Sequence, residues 1–176
     1  MDALIVYIAK YAFAVSFVIA AVVWLRLPRR QKTELLAWGV LGGALSYVLV
    51  KMAGAVFYDT RPFVADHTAP LFPHPADNGF PSDHTALTMF LALIVLRYSR
   101  RWGIVLIVVS LLIGASRVVA GIHTPLDIIA AVAIAAAAAL VTRPAALWIS
   151  DRLWRPPAGA NPPADPGTDP QGRAGG

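Results

Sequence analysis

The chain has no cysteine among its 176 residues, which excludes disulfides and thiolate metal sites. Charge is also scarce. Asp, Glu, Lys and Arg make up 14% of the residues, whereas an ordinary soluble domain carries about 25%. Hydrophobic residues reach 57% and the mean hydropathy is +0.62. Together these values exclude an ordinary water-soluble globular domain. The length suits one domain. The net charge of +5 and a pI near 10 raise two possibilities, nucleic acid or a membrane surface, and the placement of the charges decides between them.

A bilayer crossing needs about 20 apolar residues. The sequence offers five candidates, over residues 3–27, 35–58, 85–98, 102–120 and 126–141. A signal peptide is disfavoured for the first, because its start is acidic (Asp2) and its apolar stretch is too long. Residues 145–154 follow Pro144 and are too few to cross, so they read as an interfacial stretch. The basic residues sort by loop. Arg26, Arg29, Arg30 and Lys32 fill the first, Arg97, Arg100 and Arg101 the third, and Arg143, Arg152 and Arg155 follow the last span. The positive-inside rule then puts these segments in the cytoplasm and the N-terminus outside. The expected fold is an all-α integral membrane bundle of about five helices, N-out and C-in, over residues 1–155. The positive charge is a topology signal, and no nucleic-acid partner is expected. Residues 156–176 hold six prolines and five glycines, and read as a disordered cytoplasmic tail. Trp24, Trp38, Trp102, Trp148 and Trp154 read as interfacial aromatics.

The two outward loops carry the chemistry. The second loop contains Arg61-Pro62 and then Pro81-Ser82-Asp83-His84, and the fourth contains Ser116-Arg117 and His123-Thr124-Pro125-Leu126-Asp127. Arginine presents a planar fork of donors that matches phosphate oxygens. Ser82 precedes an apolar run and can cap a helix whose free N–H groups favour an anion. His123 and Asp127 stand at i and i+4, so they share a face if Pro125 opens the fifth helix. A carboxylate on one imidazole nitrogen leaves the other free to attack, and His84 supplies a second imidazole as acid or base. Asp66, His67, His74 and Asp77 match no standard metal spacing, so no metal is expected.

These motifs resemble the type 2 phosphatidic acid phosphatase superfamily, whose three signatures are Lys-x6-Arg-Pro, Pro-Ser-Gly-His and Ser-Arg-x5-His-x3-Asp. The third is complete at Ser116, Arg117, His123 and Asp127, and the second reads Pro81-Ser82-Asp83-His84. Asp83 in place of glycine resembles the bacterial undecaprenyl-diphosphatase subgroup. The resemblance implies His123 as nucleophile, Asp127 as its support and His84 as acid and base. It implies that Arg61, Arg117, Ser82, Ser116 and the Asp83 N–H hold the phosphate. It further implies an isoprenyl diphosphate lipid as substrate, no cofactor, a site at the outer face of the bacterial plasma membrane, and a link to bacitracin resistance. A broader lipid phosphatase acting on phosphatidate or phosphatidylglycerol phosphate is the alternative within enzymes, and a non-catalytic membrane scaffold the alternative outside them.

One departure stands out. The family's lysine falls at Gly54, and the nearest lysine is Lys51. Three residues keep it on roughly the same helix face but about 4.5 Å deeper. Lys51 therefore either climbs to the phosphate or pairs with a carbonyl or carboxylate between helices.

The absence of cysteine makes the topology directly testable. A Thr68→Cys variant should be labelled in intact cells by a membrane-impermeant maleimide. A Ser99→Cys variant should be labelled only after permeabilisation. The reverse pattern would invert the assignment.

Overall fold

The computed structural model describes residues 2–155 and is all-helical; the tail expected at 156–176 lies outside the described residues. Six helices follow in order: α1 (Asp2–Arg26), α2 (Arg29–Val56), α3 (Pro62–Ala65), α4 (Asp83–Leu96), α5 (Arg100–Val119) and α6 (Pro125–Leu153). Among the described residues, α1, α2, α5 and α6 are long and apolar enough to cross a membrane. The third expected span is the shorter helix α4, of 14 residues. At 1.5 Å per residue it is about 21 Å long, against about 30 Å of hydrocarbon.

The shortness of α4 is compatible with its place in the bundle. It contacts α1, α2, α5 and α6, and Ala86, Met89, Phe90, Ala92, Ile94 and Val95 are buried. The loop from Phe57 to Pro81 folds over its N-terminal end, so that end forms the floor of a recess.

Small residues and hydrogen bonds hold the long helices around it, as expected where lipid removes the water that drives association elsewhere. Thr88 Oγ1 and Ser110 Oγ meet at 2.8 Å between α4 and α5. Gly103 on α5 lies against the backbone of Leu96, where an added Cβ would stand 2.3 Å from the Leu96 Cα. Trp38 on α2 donates its indole N–H to the Ala139 carbonyl on α6 at 2.9 Å. Trp38 is therefore buried and is not an interfacial aromatic.

The stretch after Pro144 is also different from expectation. Helix α6 runs unbroken through Pro144, so residues 145–154 extend it and do not form a separate interfacial piece. The proline removes one helical N–H, a smaller loss than unpairing the whole segment in an apolar setting. Contacts with α2 fix the extension. Ser150 Oγ donates to the Arg30 carbonyl at 3.2 Å, Trp154 Nε1 donates to Thr33 Oγ1 at 3.1 Å, and Arg30 pairs with Asp151.

Gly103→Ala should destabilise the bundle by about 1–3 kcal/mol, the usual cost of overpacking, because the clash is with backbone. Chemical denaturation in detergent would measure this. Unchanged stability would mean that the α4–α5 contact is not tight.

Candidate active site

A cavity of about 350 Å³ opens at the end of the bundle where α4 and α6 begin and α2 and α5 finish. Its lining includes Lys51, Arg61, Asp83, His84, Arg117 and His123. Three segments far apart in sequence thus deliver their charged groups to one recess.

Helix α6 sets the imidazole. Pro125 occupies the first turn, and Thr124 is the N-cap. Thr124 and Asp127 form a capping box. The Asp127 N–H donates to Thr124 Oγ1 at 3.3 Å, and the Thr124 N–H donates to Asp127 Oδ2 at 2.8 Å. The same Oδ2 accepts from His123 Nδ1 at 3.2 Å. The carboxylate is fully buried and His123 nearly so. With Nδ1 engaged, Nε2 is the nitrogen left for the cavity. Burial pushes the His123 imidazole below its ordinary range, the Asp127 bond opposes that shift, and the Arg117 and Arg61 charges reinforce it. The imidazole is therefore neutral at neutral pH.

The turn before α6 brings His123 back over Arg117. Gly121 has φ +74°, a left-handed conformation that side-chain-bearing residues rarely adopt. It allows the Ile122 N–H to donate to the Arg117 carbonyl at 3.1 Å. Arg117 donates from Nη1 to the Ala9 carbonyl on α1 and from Nη2 to His74 Nε2, both at 3.3 Å. Arg61 is held from three sides. It donates to Asp77 Oδ1 at 2.8 Å, to the Ile122 carbonyl at 3.0 Å and to the Asn78 carbonyl at 3.1 Å.

Ser82 is the N-cap of α4 and is fully buried; its Oγ accepts from the Thr85 N–H at 3.5 Å. Its own N–H donates to the Asp127 carbonyl at 3.3 Å, tying the starts of α4 and α6 together. His84, in the first turn of α4, stacks edge-to-face on Phe13 of α1 at 5.4 Å and lines the cavity. Ser116 turns inward, with its Oγ donating to the Ile113 carbonyl at 2.7 Å, and lies outside the cavity lining. Lys51 does reach the cavity, and its Nζ sits 3.1 Å from Asp83 Oδ2. At Gly54, a Cβ would stand 2.8 Å from the Phe80 carbonyl oxygen, so backbone occupies the space a side chain would need.

The loop supplies residues that the motifs do not contain. Asn78 donates to the Gly54 and Phe57 carbonyls at 2.7 and 2.9 Å, closing the end of α2, and accepts from the Asp59 and Phe80 N–H groups. Asp59 accepts from Thr124 Oγ1 at 2.8 Å. The Thr-x-x-Asp capping box was readable before α6. Apart from the bond to Phe80, the Asn78 and Asp59 links had no local pattern, since their partners lie 19 to 65 residues away. His74 and Asp77, which could be read as metal ligands, stand instead on the two arginines. Burial pushes the His74 imidazole down and the arginine charges push it further. Burial raises the Asp77 carboxyl, but the Arg61 bond and charge outweigh this and hold it below its ordinary value. Among the described residues, no group of three or more His, Asp or Glu converges as a metal site.

Residues 35–151 match the family described as the PAP2 superfamily. Undecaprenyl-diphosphatase BcrC of Bacillus subtilis is 33% identical over 135 residues, covering 77% of this chain and 69% of that protein. An undecaprenyl-diphosphatase of Sulfolobus acidocaldarius is 30% identical over 132 residues, covering 74% of this chain and 63% of that protein. The crystal structure of Aquifex aeolicus LpxE superposes with a TM-score of 0.67 at 24% identity, over 80% of this chain and 84% of that one. That likeness is one of fold.

An NMR titration of the imidazoles should place the His123 midpoint below the ordinary histidine value of about 6.5. Asp127→Asn should lower it further, because the carboxylate bond favours the protonated ring. A midpoint above 6.5 in the unaltered protein would contradict the burial argument.

Proposed function

The chain belongs to the PAP2 superfamily, and from that membership we propose that it is a membrane phosphatase that removes the terminal phosphate of undecaprenyl diphosphate. The observation that carries the reading is the bond from His123 Nδ1 to Asp127 beside two buried arginines. A neutral imidazole with one nitrogen held and the other free is an oriented nucleophile. The names of the curated relatives support the lipid diphosphate as substrate.

In this mechanism His123 Nε2 attacks the terminal phosphorus. The bond from that phosphorus to the bridging oxygen breaks, and the lipid monophosphate leaves with a proton from His84. A phosphohistidine remains. His84, now neutral, takes a proton from water, whose oxygen attacks the phosphorus and releases inorganic phosphate and free His123. Arg61 and Arg117 neutralise the charge on the transferring group, and positioning with charge neutralisation is most of what phosphoryl transfer requires. The Asp77 oxygen on the Arg61 fork and the His74 nitrogen on Arg117 give way to phosphoryl oxygens when substrate binds. Ser82 and the Asp83 N–H act at the N-terminus of α4, where free N–H groups favour an anion. Ser116 acts through the packing of α5 next to Arg117. No cofactor enters these steps.

The site faces the outside of a bacterial plasma membrane in this reading. Support comes from Arg30, Asp151 and Trp154, which join at the opposite end of the bundle with the basic loops. An outward site suits recycling of the lipid carrier of cell-wall synthesis, and raised levels of the protein would then confer bacitracin resistance.

The test is phosphate release by detergent-purified protein with EDTA present. Undecaprenyl diphosphate, farnesyl diphosphate, phosphatidate and phosphatidylglycerol phosphate are compared, each against His123→Ala. Preference for the isoprenyl diphosphates is expected, with at least about a thousandfold loss in the variant. Preference for the glycerolipids would redirect the substrate assignment. Full activity in His123→Ala would overturn the mechanism.

A further inference from the structure

Two departures from the family pattern meet in space. The motif lysine is displaced from position 54 to Lys51, and the motif glycine is replaced by Asp83. Lys51 Nζ lies 3.1 and 3.4 Å from the two Asp83 carboxylate oxygens. The displacement has a steric reason, because the Phe80 carbonyl fills the space beside Gly54. Lys51 rises from the body of α2 along the Tyr47 ring, with its ammonium 5.3 Å from the ring centroid, to reach a carboxylate on the first turn of α4.

The pair stands at a junction. A second cavity, lined by Gly43, Ser46, Tyr47, Val50, Asp83, Ala86 and Leu87, runs between α2 and α4 and is mostly apolar. It shares Val50 and Asp83 with the cavity that holds His123 and the two arginines. A lipid with its terminal phosphate at the arginines and its hydrocarbon in the apolar cavity must pass alongside the Lys51–Asp83 pair. What it has at that point is the phosphate nearest the tail.

We propose that the Lys51–Asp83 pair is the diphosphate-reading element of this site: Lys51 binds the tail-proximal phosphate, and Asp83 holds the lysine at the junction. This rests on the lipid-diphosphatase reading above and adds which groups distinguish a diphosphate from a monophosphate. Both side chains are about half exposed, so the pair itself contributes little to stability. Its effect is on recognition. An ammonium shared between a carboxylate and a phosphate attracts both and offsets part of their combined negative charge. Without the lysine, Asp83 repels the incoming diphosphate.

Farnesyl diphosphate and farnesyl monophosphate share one tail and differ only in the second phosphate, so they isolate the effect. Lys51→Ala should lower kcat/KM for the diphosphate by about tenfold or more, as for loss of a charge-assisted hydrogen bond. The fall for the monophosphate should be several times smaller. Lys51→Arg should retain most of the diphosphate preference. Lys51→Ala combined with Asp83→Gly should recover part of the diphosphate activity, because the unpaired carboxylate has gone. Equal losses on both substrates, or a double variant no better than Lys51→Ala, would overturn the inference. If Lys51→Ala does not fold, Lys51→Gln, which keeps the length of the side chain without its charge, supplies the same two-substrate comparison, with a reduced diphosphate preference expected and an unchanged one overturning it. Absence of turnover on either lipid by the unaltered protein would fell the lipid-phosphatase reading itself, a separate result.

Discussion

A single carboxylate, Asp127, joins the architecture to the chemistry. Its Oδ2 accepts from the Thr124 backbone, completing the cap of α6, and from His123 Nδ1, orienting the imidazole. The cap of α6 and the orientation of the His123 side chain therefore depend on the same carboxylate oxygen. The Asp127 carbonyl also receives the Ser82 N–H, so the start of α4 is referenced to the same turn. An error in this turn would displace His123 and the α4 N-terminus together.

The surrounding loop solves a problem that a membrane bundle poses at its ends. Carbonyls at the finish of α2 need donors, and buried arginines need acceptors. Asn78 meets the first need with both of its amide hydrogens, and the Ile122 and Asn78 carbonyls help meet the second. Arg61 is consequently fixed before any ligand arrives. Its remaining partner, Asp77, lies mostly exposed and is the one that the proposed mechanism exchanges for a phosphoryl oxygen. Arg117 is similar, with a main-chain anchor on Ala9 and an exchangeable neutral His74. A rigid anchor paired with a replaceable partner is how a cationic pocket can be preorganised without a large unbalanced charge.

The short helix α4 is the other element on which the geometry depends. Wrapped by four neighbours, it leaves a recess above its N-terminus. Charged groups can sit there while the hydrocarbon-facing surfaces of α1, α2, α5 and α6 stay apolar. The recess shares Val50 and Asp83 as lining with the apolar space between α2 and α4. A polar pocket beside an apolar one suits an amphiphile with an anionic head.

Much of this was legible in the amino-acid order alone. Hydropathy located the spans because an apolar run must be helical in lipid, and the i, i+4 spacing paired His123 with Asp127, although the structure joins them through the capping turn, with His123 preceding the helix. The Ser-Arg and Pro-Ser-Asp-His motifs named Pro81, Asp83, His84, Arg117 and His123 of the pocket, since each is a local pattern. The tertiary structure decided what depends on distant partners. It kept α6 continuous past Pro144 through contacts with α2, buried Trp38 against Ala139, and turned Ser116 away from the cavity. It put His74 and Asp77 on the arginines and Lys51 on Asp83, 32 residues apart. No local periodicity encodes such meetings. They follow from which helix ends the bundle brings together, and in an apolar bundle most polar groups at those ends find partners among the few within reach, Arg117 Nε and Asp127 Oδ1 being exceptions.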